Sequence, residues 1–187
     1  MILNQKILFT KEECDKILSH AEQSNNRNSY LIPKSYEDTK YKIGGKMMSN
    51  TLILSNENLW FMEKIIDWAN SLPNIEKIVN NNLYTQIRYY KTGDFFAKHN
   101  DHYRNGIKRV YTIGVFLNSK EDFTGGDFKI YNGNNSKIID FETGKVYIIK
   151  SSTLHSVELI TSGNRMSLII FIEKNNLYNA IKSKNLI

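Results

Sequence analysis

At Leu83 the chain changes its period, and that change limits its fold more than any other feature. Upstream, apolar residues recur at helical spacing. Thr10-Lys-Glu-Glu13 reads as a capping box, in which the Thr10 hydroxyl meets a first-turn amide and Glu13 reaches back. Cys14, Ile17, Leu18 and Ala21 follow at i, i+3, i+4 and i+7, so a helix with one buried stripe is expected to about residue 24. A second helix is expected over about Asn58 to Ser71, with Leu59, Met62, Ile66 and Ala69 on one side and Pro73 beyond its end. From Leu83 on, Leu83, Thr85, Ile87 and Tyr89 alternate with Tyr84, Gln86, Arg88 and Tyr90. Further short strands are expected over 110–117, 128–131, 137–141, 145–149 and 165–172. Turn signals separate them at Asn105-Gly106, Gly125-Gly126, Asn132-Gly133, Thr143-Gly144 and Ser162-Gly163. Helices first, then seven or eight short strands, describe an α+β, mainly β fold: a double-sheet jelly roll, or double-stranded β-helix, with N-terminal helices packed on one sheet.

One domain is expected for 187 residues, a length that buries roughly 70% of the unfolded surface. Within it, residues 1–80 supply helical support and a polar segment from Asn25 to Asn50, 83–173 the jelly-roll core and 174–187 a C-terminal tail. A segment as long and polar as 25–50 reads as a working loop or as disorder. Cys14 is the single cysteine, which excludes an intramolecular disulfide and a cysteine-cluster zinc site. The longest apolar run, Leu168 to Ile172, is far short of the roughly 20 residues that span a bilayer. The N-terminus loses its apolar character after three residues and does not read as a signal peptide. A cytoplasmic protein without a membrane segment is therefore expected. The net charge of +6 is spread along the chain in no long basic run, so a nucleic-acid partner is not expected.

The candidate chemistry lies in Tyr90-Lys-Thr-Gly-Asp-Phe-Phe-Ala-Lys-His99-Asn-Asp101, answered downstream by His155 and Arg165. His99 and Asp101, at i and i+2, point the same way from an extended stretch and can supply two adjacent metal ligands. His155, just after the expected 145–149 strand, suits the third position. His20, on the first helix, and His102, turned from the Asp101 face, are the other histidines. Two histidines with one carboxylate suit Fe(II) with open positions better than structural zinc, which fills four positions and favours thiolates. A His-x-Asp alone is weak, since chance supplies one in roughly six chains of this make-up. The joint pattern of strand, His-x-Asp, further strands, a third histidine and an arginine on the last core strand is far more specific. Arg165, Ser167, Ile169 and Phe171 share a strand face. A guanidinium there can hold a carboxylate through two parallel hydrogen bonds, Ser167 can add a hydroxyl, and Tyr90 can donate its phenol. Arginines at strand ends more often sit in surface ion pairs, and Lys145 and Lys150 are the other nearby cations.

Tyr90-x-x-Gly93-x-x-Phe96-x-x-His99-x-Asp101, Arg109-Val-Tyr-Thr-Ile-Gly-Val-Phe-Leu-Asn118, Gly125-Gly126-Asp-Phe and His155-Ser-Val…Gly163-Asn-Arg165 together resemble the prolyl 4-hydroxylase-like branch of the 2-oxoglutarate/Fe(II) dioxygenases. The resemblance covers about residues 83–173. It implies that His99, Asp101 and His155 hold Fe(II), and that Arg165 binds the 5-carboxylate of 2-oxoglutarate with help from Tyr90. It also implies that Arg109 lies on the substrate side. Phe96 and Phe116 stand where the family often has tyrosine, which changes the expected co-substrate contacts but not the metal ligands. Phe171 stands where nucleic-acid demethylases of the superfamily usually place a second arginine, against a DNA-repair role.

The chemistry implied by the resemblance consumes 2-oxoglutarate and O2, releases succinate and CO2, and hydroxylates a C–H bond, with ascorbate as an accompanying reductant. Asp101 favours hydroxylation over halogenation, because halogenating relatives carry a small residue there. The expected substrate is a prolyl residue in a peptide or protein, with Lys34 to Ser49 and Tyr103 to Lys108 as candidate walls. A free amino acid or small metabolite is the alternative substrate. A catalytically silent jelly-roll binding module is the alternative of another class.

Overall fold

The computed structural model describes residues 2–28, 31–32, 47–48, 50–54, 59–79, 83–104 and 106–174. In chain order its elements are β1 (Ile2–Ile7), α1 (Lys11–Asn28), β2 (Leu31–Ile32), β3 (Met47–Met48), β4 (Asn50–Leu54), α2 (Trp60–Asn70), β5 (Leu83–Lys91) and β6 (Phe95–His99). There follow β7 (Tyr103–Arg104), β8 (Ile107–Phe116), β9 (Phe123–Gly125), β10 (Phe128–Asn132), β11 (Asn135–Ile139), β12 (Lys145–Lys150), β13 (His155–Val157) and β14 (Ile160–Glu173). The larger sheet runs β1-β12-β8-β14-β5-β4-β2, with β7 on β8 and β9 on β14; the smaller runs β11-β10-β13-β6-β3. The mainly β, two-sheet core expected from the pattern is present.

The longest strand, β14, organises the larger sheet. It pairs with β5 from Asn164 to Ile172 and with β8 from Ser167 to Glu173. Because successive side chains alternate, its two faces go to different neighbours. Leu168, Ile170 and Ile172 join Ile87, Ile113, Val115 and Ile148 in a core closed by Ile17 of α1 and Phe61, Met62 and Ile65 of α2. The other face of the sheet meets the smaller sheet in a second, aromatic core of Tyr90, Phe116, Phe123, Phe128 and Tyr147 with Ile130, Ile149 and Ile160. The helices therefore cover the outside of one sheet, and the space between the sheets is left for a site.

The capping box forms, with Thr10 N donating to Glu13 Oε2 (2.9 Å) and Glu13 N to Thr10 Oγ1 (3.2 Å). The helix behind it runs four residues past the expected end, to Asn28. Cys14, Ile17 and Ala21 are fully buried as expected, while Leu18 is half-buried. Burial pushes the Cys14 thiol up to about 11. In α2 the buried face is Phe61, Met62, Ile65, Trp68 and Ala69, wider than the expected stripe and leaving Ile66 half-buried. Two large aromatics, Phe61 and Trp68, pull the face round. Asn58 and Asn105 lie outside the described residues, as do 33–46 of the expected loop and residues 175–187. The described ends of that loop are α1, β2, β3 and β4 instead. Among the described residues no helix is long and apolar enough to cross a membrane.

β1 carries no pattern that announces a strand, yet it pairs with β12 from Lys145 to Ile149. The pairing is locked at its end, where Leu8 N (3.0 Å) and Phe9 N (3.2 Å) both donate to Gly144 O. Gly144 has φ +75°, and a Cβ there would overlap the Phe9 carbonyl oxygen. Gly144→Ala is expected to lower stability by about 1–3 kcal/mol, read as a shift of the urea midpoint. Gly133, at φ +60° but facing open space, gives the control, with a cost of about 1 kcal/mol for Gly133→Ala. Equal costs at the two positions would show that the Phe9 contact is immaterial.

Candidate active site

His99, at the end of β6, and His155, at the start of β13, are direct cross-strand partners in the smaller sheet. The chain leaves β6 and turns onto the other sheet, where Asp101 N donates to Ser151 O (2.8 Å). That turn brings Asp101 between the two rings: Oδ1 lies 3.5 Å from His99 Nε2, and Oδ2 lies 3.3 Å from His155 Nε2. The three ligand atoms lie within 4.8 Å of one another, and all three side chains are buried. No other such cluster occurs among the described residues.

The surroundings prepare this set for a cation. His99 Nδ1 meets Ala97 O at 2.7 Å and His155 Nδ1 meets Thr153 O at 2.9 Å. A carbonyl only accepts, so each proton sits on Nδ1 and each Nε2 lone pair faces Asp101. Thr112 donates to Asp101 Oδ2 (2.9 Å) and lies 3.1 Å from the Ser151 hydroxyl, fixing the carboxylate's rotation. Phe96 stacks on the His99 ring at 3.5 Å between centroids, and Phe128 meets His155 edge-on at 5.6 Å. Burial disfavours charge on Asp101, but His155, His99 and Thr112 outweigh it and hold the carboxyl well below its usual range. Burial pulls His155 down to about 4 despite the opposing Asp101 charge. The donor set is thus two imidazoles, that of His155 neutral at neutral pH, and one carboxylate, without a thiolate. Such a donor set fits Fe(II) on one face, with the opposite positions open.

A pocket open to solvent, about 410 Å³ with its open part included, lies between the sheets beside this cluster. At its other end stands Arg165, 2% exposed and paired across the sheet with Tyr90. It is not the strand-opening residue expected from the pattern, since β14 begins five residues earlier, and it forms no surface ion pair. Its guanidinium carbon lies 5.3 Å from the Tyr90 ring centroid, 5.2 Å from Phe141 and 5.6 Å from Phe116. Burial pulls Arg165 down, with Tyr90 and Tyr147 opposing. Among the described residues, Arg165 Nε and Ser167 Oγ have no hydrogen-bond partner. A buried guanidinium with an unpaired Nε and a buried hydroxyl, both lining the cavity, together suit an anionic guest.

Tyr147, Thr112, Ser151 and Asn118 shape the site without having been singled out in the sequence. Tyr147 crosses β8 at Gly114, its cross-strand partner, where any Cβ would overlap the phenol ring. Asn118 donates to Asn164 O (2.8 Å) and accepts from Met166 N (2.8 Å), gripping the backbone on both sides of Arg165. Arg109 is 4% exposed and lies over the Phe171 ring at 3.6 Å, outside the metal cluster. His20 is half-buried on α1, and His102 packs edge-on against Tyr103, 4.5 Å between centroids.

The depressed His155 pKa has a consequence for stability. In the unfolded chain the imidazole takes a proton near 6.5, whereas in the folded state it resists down to about 4. Metal-free protein is therefore expected to lose stability as pH falls from about 6.5 to 4, with full stability above that window. Denaturant midpoints at pH 7.5, 6 and 4.5 measure it, and His155→Gln should flatten the slope. An unchanged slope in that variant would assign the effect to another group.

Residues 85–173 match the model of the 2OG-Fe(II) oxygenase superfamily. A PKHD-type hydroxylase of Rippkaea orientalis is 27% identical over 187 aligned positions, covering 92% of this chain and 78% of that protein. Other curated PKHD-type hydroxylases are matched over 30% to 50% of their own length. Among solved structures, a Pseudomonas putida prolyl-4-hydroxylase superposes with TM-score 0.66 at 11% identity, covering 92% of both chains. A Trichoplax adhaerens prolyl hydroxylase in complex with a hypoxia inducible factor peptide fragment superposes with TM-score 0.66 at 13% identity, covering 91% of this chain and 82% of that one. At these identities the structural likeness speaks to the fold. The sequence match falls on the segment that carries His99, Asp101, His155 and Arg165, so that segment matches the 2OG-Fe(II) oxygenase superfamily, and the chain as a whole is similar to a PKHD-type hydroxylase.

Proposed function

We propose that this chain is a 2-oxoglutarate- and Fe(II)-dependent dioxygenase that hydroxylates a prolyl residue in a peptide or protein. One observation carries the reading: a single cavity joins a two-histidine, one-carboxylate cluster to a buried arginine with orphaned donors around it. In this reading the described core of 83–173 works within one domain of residues 1–187. Its single cysteine, Cys14, agrees with a reducing, cytoplasmic setting.

Each residue has a defined task. His99 and His155 present Nε2 to the metal, and Asp101 presents a carboxylate oxygen. Thr112 and Ser151 keep that carboxylate from rotating. Arg165 takes the 5-carboxylate of 2-oxoglutarate through two parallel hydrogen bonds, Ser167 adds its hydroxyl, and Tyr90 and Tyr147 flank the guanidinium. Tyr147 brings a phenol to the neighbourhood of Phe116, their ring centroids 5.4 Å apart, so the co-substrate end does not lack one. Phe96, Phe128 and Val157 exclude water from the histidines. When bound, Fe(II) supplies O2 activation coupled to oxidative decarboxylation of 2-oxoglutarate, giving succinate, CO2 and one oxygen inserted into the target C–H.

A peptide target is supported by the β7–β8 hairpin, which exposes Tyr103 (58%) and Ile107 (39%) within a few residues of Asp101. The Trichoplax relative in fold was solved with a peptide fragment bound. The other candidate wall, Lys34 to Ser49, lies almost wholly outside the described residues.

The first test is succinate formation from 2-oxoglutarate by Fe(II)-loaded protein under air, with ascorbate to keep the iron ferrous, followed by a peptide screen for +16 mass products. Asp101→Ala should abolish both while the fold survives, checked by circular dichroism; full activity would refute the metal assignment. Arg165→Ala removes a charged partner, a loss of about 2–5 kcal/mol, and should raise the 2-oxoglutarate requirement by about 30-fold or more. An unchanged requirement would move the carboxylate contact to another cation.

A further inference from the structure

Arg165, Ser167, Ile169 and Phe171 enter the pocket from β14 in successive rows. Across the sheet on β8, Phe116 pairs with Ser167, Gly114 with Ile169 and Thr112 with Phe171. Arg165 and Ser167 thus stand toward one end, and Thr112, which donates to Asp101, toward the other. The row of Ile169 lies between them, and in that row β8 has only Gly114. Tyr147, the cross-strand partner of Gly114 on β12, lays its ring across the space this leaves. A Cβ on Gly114 would overlap both Cζ and Oη of the phenol.

The ring is held in that place. It is 2% exposed, with the Phe128 centroid at 4.8 Å and that of Phe116 at 5.4 Å. Burial pushes the phenol up, Arg165 opposes this and Asp101 adds to it, so the group is uncharged and feels both ends of the pocket. A guest that joins Arg165 to the metal cluster passes its middle carbons over Tyr147 and Ile169, in a pocket to which the smaller sheet brings Phe128 and Val157. A floor packed this closely does not yield the width of a methyl group without strain.

We propose that Tyr147, seated over Gly114, is a specificity-determining residue of the co-substrate seat, admitting an unbranched 2-oxo diacid and excluding one with a substituent on its middle carbons. The inference rests on the 2-oxoglutarate reading of this pocket and deepens it, naming the residue that decides which 2-oxo acid is taken. Gly114 and Tyr147 act as a pair, because the ring can form the floor only where the neighbouring strand carries no side chain.

Binding without turnover tests the pair. The full chain, loaded with Fe(II) under argon, is titrated by calorimetry with 2-oxoglutarate and with its 3-methyl and 4-methyl derivatives. The wild type should bind 2-oxoglutarate roughly tenfold or more tightly than either derivative. Tyr147→Val should close that gap chiefly by tightening the branched acids, a gain that a damaged fold does not produce. Gly114→Ala should weaken 2-oxoglutarate by about tenfold or more, because the displaced phenol enters the seat. Adding Tyr147→Val to Gly114→Ala should recover it. If Gly114→Ala misfolds, the gap in Tyr147→Val decides alone. Branched acids bound by the wild type as tightly as 2-oxoglutarate, or a gap unchanged in Tyr147→Val, would overturn the proposal and leave the hydroxylase reading standing. No binding of any of the three acids by the Fe(II)-loaded wild type would overturn both.

Discussion

A single backbone hydrogen bond, from Asp101 N to Ser151 O, joins the end of β6 to the end of β12 and so ties the smaller sheet to the larger at the candidate metal cluster. Ser151 is itself held, its amide donating to Val110 O (2.9 Å) on β8. The Thr112 and Ser151 hydroxyls complete the seam by fixing the Asp101 carboxylate. Two histidines on one sheet and a carboxylate delivered onto the other give a three-point site whose geometry depends on how the sheets close. A ligand set built this way is rigid, because moving any member means moving a strand end that is hydrogen-bonded on both sides.

The larger sheet separates two kinds of interior through the alternation of β14. Leu168, Ile170 and Ile172 meet helices that exclude water completely, while Arg165, Ser167, Ile169 and Phe171 line a cavity that admits a guest. The helical half of the chain contributes no described residue to that cavity. Its task is to cover the hydrophobic back of the strands, without which the polar front has no firm support. Asn118 extends this support to a single side chain by holding the peptide groups before and after Arg165.

The parts of the fold that are legible in the sequence are those in which a local rule and the tertiary outcome agree. The Thr10–Glu13 capping box, the strand from Leu83 and the turns at Asn132-Gly133 and Thr143-Gly144 are complete within a few residues and form, whereas Ser162-Gly163, expected to separate strands, lies inside β14. The His99, Asp101, His155 and Arg165 set is legible for a related reason. Each is a polar residue placed where its strand face or turn calls for it. Tyr147 is not legible, because Val146-Tyr147-Ile148-Ile149 reads as any buried strand. Its entry into the cavity depends on Gly114, thirty-three positions away in the chain and opposite it in space. Thr112 and Ser151 are hidden likewise, as ordinary hydroxyl residues until Asp101 arrives. β1 is hidden because Asn4, Gln5 and Lys6 belong to a sheet edge with water on one side, which needs no alternating pattern.

Cys14 sits on the inner stripe of α1, fully buried, with its sulfur 3.9 Å from the Phe116 carbonyl oxygen. Oxidants attack the thiolate, and a thiol pushed up to about 11 forms almost none at neutral pH. A protein built to bring dioxygen to iron generates reactive oxygen whenever the two meet without a target. Here the one sulfhydryl lies behind the sheet, on the side away from the cavity, as inert packing. The fold thereby keeps its one thiol on the far side of the sheet from the cavity.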